Sequence, residues 1–274
     1  MSTVKLVSTG NSTHDYYQSI NKTYHKLFQK LLMLHYPLFK EKGESLEERQ
    51  INLTRHCISK LDVVKDKKIL DVGCGNGTQS FFIKNNYFPS RITGVDINDS
   101  NIQLARSIKG EHEEIEFMVD DAQELNRIPD NSVDLLLCIE SAFHYPDKHE
   151  FMSQIHRVLK PTGKFLIADI LTRSYKNRYI MEKWKKKMSY FHWTIEDYFV
   201  AFKKNRLVVD STEDITKSVI RGYRGFDRWI TRRDVKSFFE YFLFKLLLYI
   251  QVKLNIFLLK KRRQYYIFVG RVLK

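Results

Sequence analysis

Apolar residues recur along this chain with two periods. Over residues 14–35, Tyr17, Ile20, Tyr24, Leu27, Leu31 and Leu34 stand three and four apart, which predicts an amphipathic helix. A second helix is predicted over 46–61, where Ser45 can cap the first turn and Glu48, three residues on, completes a capping box. From Lys68 onward the apolar runs are short and rich in β-branched residues: 69–72, 92–95, 115–119, 133–139 and 165–169. Helical spacing returns between them at 78–85, 100–108 and 147–159. Strands alternating with helices imply right-handed crossovers and a parallel sheet covered on both faces. With further strands predicted at 207–209 and 266–272, the expectation is an α/β protein. Its Rossmann-like sheet would have seven mostly parallel strands, with an antiparallel strand at the end and helices on both faces.

The alternation stops after Asp169. Residues 171–202 form a basic, aromatic stretch of predicted helices, with Tyr175, Tyr179, Trp184, Tyr190, Phe191, His192 and Trp193. The expected organisation is an N-terminal helical cap over 1–66, a ligand-binding core over 67–170, a helical lid over 171–204 and C-terminal strands over 205–274. The last part contains a hydrophobic helix at about 235–262. Its most apolar stretch, 238–259, is broken by Glu240, Lys245, Gln251, Lys253 and Asn255, and Lys260-Lys261-Arg262-Arg263 follow it. It is long enough to span a bilayer, but a glutamate and two lysines inside make that costly. Packing on the core or in a homo-oligomer interface is the first reading, and peripheral contact of 238–263 with a membrane surface the alternative.

Charge sharpens this division. The formal net charge is +14, yet residues 1–170 carry 21 Lys+Arg against 23 Asp+Glu, net −2, and residues 171–274 carry 25 against 9, net +16. Two readings follow: a solvated basic face, or attraction to an anion such as a phosphorylated substrate, lipid headgroups or nucleic acid. The start of the chain is mixed and polar, so a secretory signal is not expected and the cytoplasm is the default location. Cys57, Cys74 and Cys138 are odd in number and lack metal-ligand spacing, which argues against disulfides and against a metal site. Cys74 and Cys138 are read as small apolar residues near strand ends.

The chemistry concentrates at strand ends. Ile69-Leu70-Asp71-Val72-Gly73-Cys74-Gly75-Asn76-Gly77 reads as a buried strand, an acid, then a glycine turn that lets backbone approach a ligand. A dinucleotide fingerprint would need Gly or Ala at position 78, where Thr78 stands, so the spacing suits a ligand without a phosphate. Asp96 ends the second strand, where a carboxylate could accept from both hydroxyls of a ribose. Asp120-Asp121-Ala122 follow the third, where a carboxylate could take an exocyclic amine. Three strand-end acids at the carboxyl edge of one parallel sheet define a ligand site.

These motifs resemble those of class I S-adenosylmethionine-dependent methyltransferases. The likeness continues through Asp134 to Glu140 and Val158-Leu159-Lys160-Pro161-Thr162-Gly163-Lys164, and covers about residues 66–170. It implies S-adenosyl-L-methionine as cofactor, with the turn Gly73-Cys74-Gly75-Asn76-Gly77 around it. Asp71 and Gly73 would hold its methionine end, Asp96 its ribose, Asp121 and Ala122 its adenine, while Ile97 flanks the ring and Ile139 borders the site. Leu34-His35-Tyr36 is similar to a His-Tyr pair that closes over the cofactor in small-molecule members. Those continue with Gly and Trp, where this chain has Pro37-Leu38.

An S-adenosylmethionine methyl is already activated, so the protein mainly aligns an acceptor and disposes of a proton. The segment Glu140-Ser141-Ala142-Phe143-His144-Tyr145-Pro146-Asp147 resembles the Glu-x-x-x-His-x-x-Asp loop of small-molecule O- and C-methyltransferases. His144 is the expected base; its alternative is a pocket-shaping residue bonded to backbone. Glu140 is the second catalytic candidate, as a base or a stabilising charge, and His192 is expected at the surface. The expected substrate is a small hydrophobic acceptor, polyketide, prenyl, quinone-like or lipid, with an anionic group as an option. By the same resemblance, the absence of an Asn-Pro-Pro-Tyr-like tetrapeptide after the fourth strand disfavours N-methylation of bases or amides in nucleic acid and protein, and no nucleic-acid partner is expected. An RNA methyltransferase and a non-catalytic cofactor-binding scaffold remain as alternatives.

Overall fold

The computed structural model describes residues 33, 35–110, 112–174, 190–224 and 238–274. The predicted helix over 14–35 and the middle of the expected lid, 175–189, therefore lie outside the described residues, apart from 33 and 35. The elements are α1 (Leu46–Ile58), β1 (Lys68–Val72), α2 (Thr78–Tyr87), β2 (Arg91–Asp96), α3 (Asp99–Ile108), β3 (Ile115–Val119) and β4 (Val133–Ile139). After a single 3-10 turn (Ala142–His144) come α4 (Lys148–Val158), β5 (Leu159–Thr172), α5 (Ile195–Lys204), β6 (Leu207–Asp214), α6 (Thr216–Gly222), α7 (Phe238–Lys261) and β7 (Arg263–Val272).

The seven strands form one sheet in the order β3-β2-β1-β4-β5-β7-β6. β1 to β5 are mutually parallel, and β7 runs antiparallel to both its neighbours. The Rossmann-like expectation holds, and the last strand of the chain is antiparallel as read, lying between β5 and β6. Strand pleating divides the core: Ile69, Leu135, Leu137, Ile139 and Tyr265 pack with α1 and α2 on one face. Leu70, Val72, Leu136 and Cys138 pack with α4 and α5 on the other. Strand order reverses between β1 and β4, which opens a crevice at their carboxyl ends.

Local signals act as read. Glu48 N–H donates to Ser45 Oγ at 3.2 Å and Ser45 N–H to Glu48 Oε2 at 2.6 Å, so the capping box exists. The lid boundaries do not hold. Leu171 and Thr172 pair with β7, and α5 lies on the sheet with Tyr198 and Phe202 fully buried against Phe268. That helix is core because its aromatics fill one face of the sheet, which a basic and aromatic composition does not reveal.

Candidate active site

The glycine turn joins β1 to α2. Gly73 and Cys74 donate their N–H groups to Val95 O at 2.8 and 3.0 Å, stitching the turn to β2. Its glycines serve different ends. A Cβ at Gly73 would meet Ser141 Oγ at 2.0 Å, and one at Gly77 would meet the Phe117 ring at 2.7 Å, so both are filled by protein. Gly75 alone has open space there. Asn76 Oδ1 accepts from Thr78 N and Oγ1, closing a side-chain turn just before α2.

Asp71 is fully buried beneath this turn, with Oδ1 accepting from Gln79 Nε2 at 2.7 Å and Oδ2 from Ser80 Oγ at 2.6 Å. It fastens α2 to β1, and burial pushes its pKa up to about 6 against those two hydrogen bonds. Asp96 accepts from Gly75 N at 2.9 Å and Asn98 N at 2.8 Å, with Asn101 Nδ2 at 3.5 Å; burial raises its pKa. Asp120 N–H donates to Asp96 O, which brings Asp121 and Ala122 to the same edge, and Asp121 Oδ1 accepts from Gln123 N. Ile97 is exposed beyond β2 and Ile139 is buried at the end of β4. The three cysteine thiols are free and buried, and burial raises their pKa values, consistent with apolar packing.

Across the crevice, Glu140 adopts the left-handed backbone region at φ 57°, held by its N–H donating to Ala168 O. Its Oε1 accepts from Tyr36 N at 2.8 Å. The buried Tyr265 hydroxyl lies close enough to act on the same carboxyl. Desolvation dominates, and the Glu140 pKa rises to about 8. Between pH 4.5 and about 8 the folded chain keeps a proton that the unfolded chain gives up, so stability falls as pH rises through that window. Glu140→Gln, with no proton to lose, should flatten this part of a Tm-against-pH curve; a curve of unchanged slope would remove Glu140 as its source.

The His35-Tyr36 pair joins both halves. Thr54 Oγ1 lies 3.3 Å from His35 Nδ1 and 3.4 Å from Gln79 Oε1, extending to Asp71, while Tyr36 reaches Glu140. Burial lowers the His35 pKa to about 4, so the ring is neutral at pH 7. Pro37 is accommodated at Gly222, where a Cβ would meet its carbonyl oxygen at 1.8 Å.

His144 is half-buried, its ring 4.3 Å from that of Phe143 and 5.3 Å from Tyr190. His192 departs from expectation. It is 4% exposed, Nδ1 lies 2.6 Å from Ile170 O, and its ring stacks on Phe143 at 5.7 Å. Nδ1 therefore carries the hydrogen, and burial with Arg263 nearby lowers its pKa well below the usual range.

Sequence reasoning also missed a buried pair behind the loop. Asp169 accepts from Phe143 N at 3.0 Å and from Tyr198 Oη at 2.5 Å. Lys148, fully buried, donates to the carbonyls of Tyr145 and Phe191 and lies 5.3 Å over Trp193, near enough to offset the burial that raises Asp169's pKa. Asp169 was legible only as another strand-end acid. Lys148 carried no signal, since a lysine in a first helical turn is ordinarily solvated.

A reversed strand order with acids at the ends of β1, β2 and β3 and a Glu–His loop after β4 defines a class I S-adenosylmethionine-dependent methyltransferase. A family model described as a methyltransferase domain matches residues 64–230, more than half of the chain, and the chain belongs to that family. A fatty-acid O-methyltransferase from Mycolicibacterium smegmatis is 31% identical over 150 residues, 54% of this chain and 51% of that protein. The chain thus spans about half the length of the curated relatives it matches. Among solved structures, a geranyl diphosphate C-methyltransferase from Streptomyces coelicolor superposes with a TM-score of 0.75 at 14% identity, covering 97% of this chain and 99% of that one. The [4+2]-cyclase SpnF superposes at 0.72 with 17% identity, covering 93% and 96%. At such identities these two speak for the fold alone.

Proposed function

We propose that this chain transfers a methyl group from S-adenosylmethionine to an oxygen or carbon of a small hydrophobic acceptor. The observation that carries this is the loop after β4, which holds Glu140, a carboxyl with a pKa of about 8, and His144 four residues on, and whose Ser141 packs against Gly73 of the glycine turn. Family membership implies the cofactor, and the residues present fit it. Gly75 leaves room for close approach. A carboxylate offers about four acceptor positions, so Asp96 keeps capacity for ribose hydroxyls beside Gly75 N and Asn98 N. Asp121, Ala122 and Ile97 would border the adenine, and the Gly73–Gly77 turn the methionine end, with Asp71 supporting that turn from below.

When bound, the cofactor supplies an electrophilic methyl on a sulfonium. The chain's own work is to hold the acceptor in line, exclude water and take a proton. Phe143, Tyr190 and Tyr36 give the site apolar walls that suit a lipophile. His144 accepts a hydroxyl proton, and Glu140, ionised only above about pH 8, supports the developing charge in that range. The net +16 over residues 171–274 supports an acceptor that also carries an anionic group.

Incubation with S-adenosylmethionine and a free fatty acid or a hydroquinone should release S-adenosylhomocysteine only when acceptor is present. No release with any lipophile would overturn the reading and favour a cofactor-binding protein that transfers nothing, an alternative kept in view by the cyclase that shares this fold. His144→Ala should lower kcat by roughly 10²-fold with cofactor affinity unchanged. An unaltered kcat would leave His144 a pocket-shaping residue.

A further inference from the structure

Helix α7 buries Leu248, Val252 and Leu259 along one stripe. On the opposite side Phe242, Leu246, Ile250, Leu254 and Phe257 are exposed, Phe242 by 59% and Phe257 by 55%. A contiguous apolar row of this kind marks an interaction surface. From position 241 to 263 the sequence holds Lys245, Lys253, Lys260, Lys261, Arg262 and Arg263 and neither Asp nor Glu. At 100° per residue Lys253 and Lys260 fall within the exposed apolar face, and Lys253 Nζ sits 5.0 Å over the Tyr249 ring. A second copy of the chain docked on this face would set Lys253 and Lys260 against the same lysines of its partner, with Glu240 the one acid in the helix sequence. An anionic headgroup layer complements both the cations and the apolar row. Among the described residues no helix is long and apolar enough to cross a membrane.

We infer that α7 lies flat on an anionic lipid bilayer and sets the mouth of the active site against it. Asn255 Nδ2 of α7 donates to Tyr223 Oη at 3.2 Å, and the Tyr223 ring stands 5.4 Å from that of Tyr36, whose N–H holds Glu140. Just past the helix, Arg263 lies 5.7 Å over Tyr190, beside His144. The core-facing side of α7 is thus linked to the catalytic loop through Asn255, Tyr223 and Tyr36, and the strand that follows it through Arg263 and Tyr190. This names the acceptor's source as the membrane, and that half rests on methyl transfer to a lipophile; the docking half does not.

The test is co-sedimentation of the full chain with vesicles of phosphatidylcholine alone and of equal parts phosphatidylcholine and phosphatidylglycerol. Partition should be at least about tenfold stronger on the anionic vesicles and fall with salt. Leu246→Glu/Ile250→Glu should abolish it while the melting temperature and S-adenosylhomocysteine affinity stay as in the wild type. Equal partition on both vesicles, none on either, or a dimer by light scattering that the same double variant dissociates would each overturn the inference. Vesicle binding without any methyl transfer would count against the proposed function only, and transfer to a dissolved lipophile without vesicle binding against this inference only.

Discussion

Asp96→Ala is expected to weaken S-adenosylhomocysteine binding by roughly 10³-fold, the loss of two charge-assisted hydrogen bonds at about 2 kcal/mol each. The carboxylate stands where β2 ends and already holds Gly75 N and Asn98 N, so its removal costs both ribose contacts and the anchoring of the turn. Calorimetry separates the two. Adenosine, which has the ribose and no methionine end, should lose affinity to a similar degree if the ribose contact dominates. Asp96→Asn, which keeps one acceptor oxygen, should recover part of the loss. Wild-type affinity in Asp96→Ala would remove the residue from the ribose site.

Lys148→Met should destabilise the fold by about 3 kcal/mol, or roughly 10 °C in Tm, because it removes the cation that opposes the burial of the Asp169 carboxyl. The two carbonyls that Lys148 holds, on Tyr145 and Phe191, would also lose their donor. Replacing a buried pair together costs less than breaking it. Lys148→Met/Asp169→Asn should therefore be no less stable than Lys148→Met, since Asn keeps an acceptor for Phe143 N. Denaturant melts of the wild type, Lys148→Met, Asp169→Asn and the double variant measure the coupling, and strictly additive losses would mean that the two residues act independently.

The strands that carry the site were legible because each is a short apolar run whose period survives in the sequence. Ile115–Val119 and Val133–Ile139 match their predicted limits, while β5 extends from the predicted 165–169 to Leu159–Thr172. Of the extra residues, Leu159 and Lys164 pair with β4 and Ile170, Leu171 and Thr172 with β7, partners that local spacing cannot see. The candidate site was legible to the same depth. Strand-end acids announce themselves by position, so Asp71, Asp96 and Asp121 were read at or beside the carboxyl ends of β1, β2 and β3; that Asp71 would turn inward depended on Gln79 and Ser80. His192 looked like a surface residue because its neighbours in sequence are mixed. Its burial comes from Ile170 and Phe143, well upstream.

By itself the sequence determined what local physics can determine: the periodicity that sets strand and helix, the Ser45–Glu48 capping box, the glycine turn and the acids beside it. Tertiary structure alone decided which of those groups meet. Tyr36 reaches Glu140 across 104 positions and Tyr198 reaches Asp169 across 29, and it is removal from water at those meetings that shifts their proton affinities. Backbone preference acts within a few residues, whereas burial depends on which strands the sheet sets side by side.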